Sequence, residues 1–93
     1  MPDGKSKKEI REEILKYEKI VDGMLADGKM NQEDAWDGYF GLLHECDCQE
    51  FWDDRERILA KIDTEKYNPL ASKNPEVVYL ARLRLRSFRA DNN

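Results

Sequence analysis

One short run of the sequence, His44-Glu45-Cys46-Asp47-Cys48, collects the side chains that most readily bind a soft or borderline metal ion. His44, Cys46 and Cys48 would supply imidazole and thiolate ligands, which suit zinc. Structural zinc sites usually add a second ligand pair far along the chain, yet the sequence has no other histidine or cysteine. A site shared between two copies, or completed by carboxylates, is the alternative. Packing is the simpler interpretation, because a buried free cysteine behaves as a small hydrophobic residue, and we predict no cofactor.

Carboxylates are concentrated in the middle of the chain, where they could bind a hard cation or a basic partner. We group the candidates as an acidic face, which consists of Glu33, Asp34, Asp37, Asp53 and Asp54. Carboxylates on exposed helix faces are mostly solvated charge and seldom metal ligands. We therefore expect the acidic face to attract a basic surface of another protein, since complementary charge speeds and orients association.

Residues 26–35 form a second segment that could be confused with a metal site. They resemble the A-D-G-K-x-x-x-E-E-A junctions between helices in several all-α families, and they also resemble part of an EF-hand loop. Counting from Asp27, however, EF-hand position 3 is Lys29 and position 12 is Gly38, where calcium binding needs a bidentate glutamate. The resemblance to the helical junctions implies a turn, and we predict a turn without calcium.

The C-terminal segment predicts a helix with two apolar faces and a stripe of arginines between them. One face, which includes Val77 and Ala81, is the kind that packs against a core. The protein-binding candidates lie outside it, and they are Tyr79, Leu80, Arg82, Leu83, Arg86 and Arg89. Tyrosine and arginine are enriched at interface hot spots. The alternative is internal, with the leucines packed and the arginines paired to the acidic residues of 31–63.

Capping residues and apolar periodicity predict four helices that position these side chains, at about residues 6–26, 32–46, 48–63 and 75–90. Ser6, Asn31 and Asn74 are the expected N-caps. Neither glycine nor proline separates the second helix from the third. We predict a break at Asp47, which can cap the third helix, and a continuous helix over 32–63 is the alternative. Arg55 falls on the apolar face of the third helix, where it could bury its methylenes and extend its charged head to solvent, pair with a buried carboxylate, or meet another chain.

Composition agrees with a single small all-α domain over residues 1–93, a compact four-helix bundle or array, with residues 1–5 and 91–93 frayed. The chain has a net charge of -4, with 40% hydrophobic and 39% charged residues. Charge is divided: residues 31–63 carry a net charge of -7 and residues 64–93 a net charge of +3. No apolar run approaches the ~18 residues of a membrane span, and no secretory signal opens the chain, so we expect a cytoplasmic protein without membrane partners.

Three functions follow from these patterns as hypotheses. The first is a small acidic protein-binding module, an adaptor, regulator or inhibitor of a partner protein, with possible homodimerisation. It would have no catalysis of its own, because the sequence has no phosphate loop, nucleophile elbow or H-E-x-x-H motif. The alternative is nucleic-acid binding through the arginine stripe. The third is a metal or redox protein that uses His44, Cys46 and Cys48.

Overall fold

Four α-helices account for most of the chain. The computed structural model describes the backbone of residues 4–91 and the side chains of residues 4–84. Within these limits the helices are α1 (Lys7–Ala26), α2 (Gln32–Gln49), α3 (Trp52–Leu59) and α4 (Pro75–Asp91), with a short 3₁₀ turn at Pro69–Ala71 and no strand. The predicted all-α class, a small helical bundle or array, is confirmed.

Three of the predicted helix caps, Ser6, Asn31 and Asn74, are confirmed. The side chains of Ser6 and Asn31 each accept the backbone N–H three residues along, at 3.2 and 2.8 Å. Asn74 accepts the N–H two residues along at 3.0 Å. Gly28 has a φ of 73°, the left-handed conformation that commonly follows the end of a helix. The predicted turn in the segment 26–35 is therefore formed by residues 27–31, between the end of α1 and the start of α2.

The break between α2 and α3 lies later than the sequence indicated. Asp47 is inside α2, so its predicted role as the cap of the third helix is wrong, and so is the alternative of one continuous helix. Glu50 ends α2 with a left-handed φ of 62°. The N–H of Phe51 then donates to the carbonyl of Cys46 at 2.9 Å, the closing bond of a Schellman motif.

The central helix is α2, because α1, α3 and α4 all pack against it. Most of the buried core comes from α2, and the core cluster consists of Ile14, Ala35, Trp36, Tyr39, Leu43, Cys46, Ile58 and Ile62. Val77 and Ala81 of α4 are buried as well. Ile62 lies beyond the end of α3 at Leu59, so the apolar pattern that predicted a helix to residue 63 continues into a turn.

Candidate functional site

Two buried carboxylates lie between α1 and α3. Glu18 is 4% exposed and Asp54 is 2% exposed. Arg57 reaches both, with Nη2 2.5 Å from Glu18 Oε1 and Nη1 2.7 Å from Asp54 Oδ1. Arg11 adds a contact of 2.8 Å to Asp54, and Lys61 adds one of 2.6 Å to Glu18. Each buried carboxylate therefore has two cationic partners.

Asp22 of α1 extends this cluster towards α2. Lys61 Nζ lies 2.8 Å from Asp22 Oδ2, and Tyr39 donates its hydroxyl hydrogen to the same carboxylate. We call the six charged residues the α1–α3 ion network, and they are Arg11, Glu18, Asp22, Asp54, Arg57 and Lys61. Three carboxylates face three cations, so the network is electrically balanced. Charged groups whose hydrogen-bonding capacity is filled by ion-pair partners stabilise the fold and are poor candidates for catalysis.

The ion network holds the pKa values of its carboxylates low. Hydrogen bonds from Arg57 are the largest influence on Glu18, and they outweigh burial to lower its pKa. For Asp54, burial acts to raise the pKa, but the hydrogen bonds from Arg11 and Arg57 outweigh it and leave the pKa below its usual value. Both carboxylates are therefore charged at neutral pH.

The acidic face is only partly exposed. Glu33, Asp34 and Asp53 face solvent, as expected. Asp54 does not, because its two oxygen atoms accept hydrogen bonds inside the ion network. Its assignment to a solvent-facing acidic surface was wrong. The available sequence signal was its spacing from Ile58, since a residue four positions before a core isoleucine lies on the same helix face.

The carboxylate of Asp37 is also used for hydrogen bonds within the chain. Its carboxylate accepts the hydroxyl of Tyr67 at 2.6 Å and the hydroxyl of Ser72 at 2.8 Å. Burial, followed by the hydrogen bond to Asp37, raises the pKa of Tyr67 above its ordinary value. Tyr67 also packs edge-on against Trp36, with ring centroids 5.8 Å apart. Asp37 thus links the α3–α4 connection to α2. Because its carboxylate is used within the fold, Asp37 is not part of the exposed acidic face as predicted.

Asp47 joins three helices. Its carboxylate lies 2.7 Å from Arg55 Nε of α3 and 2.5 Å from Arg84 Nη1 of α4. The Arg84 guanidinium also lies over the ring of Phe40, 5.7 Å from its centroid. Arg55 therefore pairs with a carboxylate, which is one of the options that the sequence left open. Arg84 of α4 is likewise engaged in an ion pair within the chain.

The outward side of α4 contains the residues predicted to bind a protein. Tyr79 is 62% exposed and Arg82 is exposed, while Leu80 and Leu83 are half-buried. We call these four residues the α4 outer face. Arg86 and Arg89, the other two predicted members, lie outside the described side chains. The α4 outer face thus exposes the ring of Tyr79 and the guanidinium of Arg82, beside two half-buried leucines.

The histidine–cysteine run divides into two parts. Cys46 is fully buried, and burial raises the pKa of its thiol to about 11, in agreement with a packing role. Cys48 is exposed, and its Sγ lies 3.6 Å from Nε2 of the half-buried His44. Among the described residues, no group of three or more His, Cys, Asp or Glu side chains is arranged to hold a metal ion.

A groove between α1 and α2 was not predicted from the sequence. Its volume is about 410 Å³, and its lining residues are Lys5, Ile10, Glu13, Ile14, Tyr17, Gly41, Leu42 and Glu45. Tyr17 is 55% exposed at its edge. Tyr17 lies three residues after the buried Ile14, at the spacing of one helix face, yet its side chain is exposed. The groove exists because α2 presents Gly41 here and leaves the ring partly uncovered.

A scan against protein-family models, a search of curated proteins and a search of solved structures each found no match to this chain. None of the helices in the described part of the chain combines the length and the apolar content that crossing a membrane requires.

Proposed function

We propose that this chain is a small protein-binding module, an adaptor, regulator or inhibitor that acts through the α4 outer face by binding alone. The observation that supports this most directly is the exposure of Tyr79, at 62%, beside the exposed Arg82. A tyrosine offers a large apolar ring with a polar tip, and arginine offers several donors, which is why both dominate interface hot spots.

The opposite side of α4 supports the same proposal, because it fixes the orientation of the helix. Val77 and Ala81 are 4% and 3% exposed, and Arg84 is held by Asp47. These contacts fix the rotation of α4 about its own axis and hold the backbone of Tyr79 at the surface. Binding to a surface that is already ordered costs less conformational entropy than ordering it on contact.

Charge favours a partner that is basic overall. The chain carries a net charge of -4, and Glu33, Asp34 and Asp53 remain exposed after the ion pairs have formed. Exposed carboxylates raise the association rate through long-range attraction and orient the encounter, while the aromatic and arginine side chains contribute most of the affinity. We therefore expect the rate of association to fall as salt is added.

Nucleic-acid binding, the alternative, has less support. Arg84 pairs with Asp47, so among the α4 arginines with described side chains Arg82 alone is exposed. The described side chains thus offer one exposed arginine for phosphate contacts, and the exposed carboxylates repel a phosphate backbone. A gel shift with DNA and RNA at about 50 mM salt separates the two proposals, since a nucleic-acid binder shifts under these conditions and loses affinity steeply as salt rises.

An affinity pull-down with the full chain as bait tests protein binding. The variants are Tyr79→Ala and Arg82→Ala, and the matched control is Lys19→Ala, an exposed residue of α1. We expect the wild type and the control to retain one stoichiometric partner, and Tyr79→Ala to weaken retention about tenfold or more at an unchanged melting temperature. Equal retention by all variants would contradict the α4 outer face. The absence of any partner, with a monomer in sedimentation, would contradict the proposed function.

A further inference from the structure

We propose that His44 and Cys48 form one half of a zinc site and that a second copy of the chain completes it with the same two residues. The two side chains lie one turn apart on α2, with Cys48 exposed and His44 half-buried. Ligands spaced at i and i+4 project from the same face of a helix, and zinc sites use this spacing. The site is separate from the α4 outer face, so the two proposals can fail independently.

The distance between the two ligand atoms, Cys48 Sγ and His44 Nε2, is the main support for the proposal. A tetrahedral zinc ion has Zn–S bonds of about 2.3 Å and Zn–N bonds of about 2.0–2.1 Å, which place a sulfur and a nitrogen ligand about 3.6 Å apart. Cys48 Sγ and His44 Nε2 are 3.6 Å apart. The separation of the two atoms therefore matches that of two ligands on one tetrahedral zinc ion. Binding displaces water from the ion and releases the thiol proton of Cys48 to solvent.

A second copy is needed because two ligands do not fill a zinc coordination shell. Structural zinc sites have four protein ligands, and no third ligand joins His44 and Cys48 within the described chain. A two-fold dimer brings two identical surfaces together, so each copy would contribute one imidazole and one thiolate. The resulting pair of nitrogen and pair of sulfur ligands is a donor set that zinc favours over magnesium or calcium.

The surface beside the two ligands is open to a second copy. Gly41 lies two turns before Cys48 on the same side of α2, and a methyl group there would meet nothing within 4 Å. The α1–α2 groove runs next to it and leaves Tyr17 55% exposed. A copy docked over this side of α2 would cover the groove, so apolar burial would add to the metal bonds.

The other cysteine supplies a matched control. Cys46 is two residues from Cys48 but is fully buried in the core. Cys46→Ala removes one thiol and leaves the proposed ligands in place. His44→Ala and Cys48→Ser change side chains at or near the surface, so we expect both variants to fold. Each of them removes two of the four ligands from a symmetric site.

Zinc titration of the purified, reduced chain without a histidine tag, followed by sedimentation velocity, tests the proposal. We expect a shift from monomer to dimer that is complete at one zinc ion per two chains. Cobalt(II) should give the intense visible absorption of a tetrahedral thiolate complex. The Cys46→Ala variant should behave as the wild type, and both ligand variants should lose the zinc-dependent dimer.

Alkylation gives a second measurement that does not depend on oligomeric state. Zinc should protect Cys48 from iodoacetamide in the wild type and leave it reactive in His44→Ala. The proposal is overturned if the wild type takes up no zinc, if zinc binds while the chain stays monomeric, or if the ligand variants dimerise with zinc as the wild type does.

Discussion

Arg57 of α3 forms a two-pronged ion pair with Glu18 of α1, with Nη2 2.5 Å from Oε1 and Nε 3.0 Å from Oε2. The carboxylate side chain is 5% exposed and the guanidinium side chain is 40% exposed. A bidentate pair fixes direction as well as distance. Because α3 has only eight residues, it would be marginal as an isolated helix and depends on such contacts for its position.

Removing the Glu18 carboxylate should destabilise the fold. Glu18→Ala leaves Arg57 with Asp54 and Lys61 with Asp22, so we expect a loss of about 2 kcal/mol, below the full cost of breaking a deeply buried pair. Urea unfolding followed by circular dichroism measures the change. Glu12→Ala, an exposed residue of the same helix, is the control and should change stability by less than about 0.5 kcal/mol. Equal effects of the two substitutions would show that the buried pair contributes nothing.

Acid should unfold the protein through the same network. The pKa values of Glu18, Asp22 and Asp54 are all lowered in the folded state. A carboxyl group whose folded pKa is depressed contributes stability that is fully present above its unfolded pKa of about 4. That stability is lost as the pH falls through the folded pKa. Urea midpoints between pH 7 and about pH 2.5 should therefore decline below about pH 4.

The variant Glu18→Gln tests which groups cause this decline. It removes one titrating carboxyl group and keeps a side chain of similar size, so its stability should depend less steeply on pH than that of the wild type. Parallel curves for the two proteins would mean that other carboxyl groups dominate acid unfolding.

The helix ends could be predicted from the sequence where the capping residue and its hydrogen-bond partner are close together in the chain. Ser6 and Asn31 cap their helices through bonds to residues only three positions away, and Gly28 accepts a left-handed φ, so residue type alone identifies these positions. The break at Glu50 carries no such signal. Glycine normally takes the left-handed position after a helix, and a glutamate is there because the packing of α3 on α2 overrides its preference.

Tertiary contacts explain why the candidate site was harder to predict. Glu18 lies four residues after Ile14 and Asp54 four before Ile58, which marks both as charges on a core-facing stripe. Their partners depend on how α1 and α3 lie against α2, which no single helix specifies. The spacing of His44 and Cys48 was visible in the sequence, but the exclusion of Cys46 from the pair required the orientation of α2.

Glu50 should be a site where substitution stabilises the protein. Its φ of 62° is unfavourable for a residue with a Cβ atom, so Glu50→Gly relieves strain, and we expect a gain of about 0.5–1 kcal/mol. Thermal unfolding measures the change. Gly28→Ala is the mirror-image control, since it places a Cβ at a φ of 73° and should lower stability by about 1 kcal/mol. A loss of stability in Glu50→Gly would mean that the glutamate side chain contributes more than its backbone costs.

The two cysteines should react at very different rates in the native state. Cys46 is fully buried, and burial raises the pKa of its thiol to about 11, so only about one thousandth of it would be thiolate at pH 8 even if reagent could reach it. Cys48 is exposed. Iodoacetamide pulses, read by mass spectrometry, should label Cys48 at once and Cys46 only as urea unfolds the chain. Because Cys46 belongs to the buried core cluster, its labelling should follow global unfolding. Labelling as fast as that of Cys48 would mean that the core opens locally while the rest of the chain stays folded.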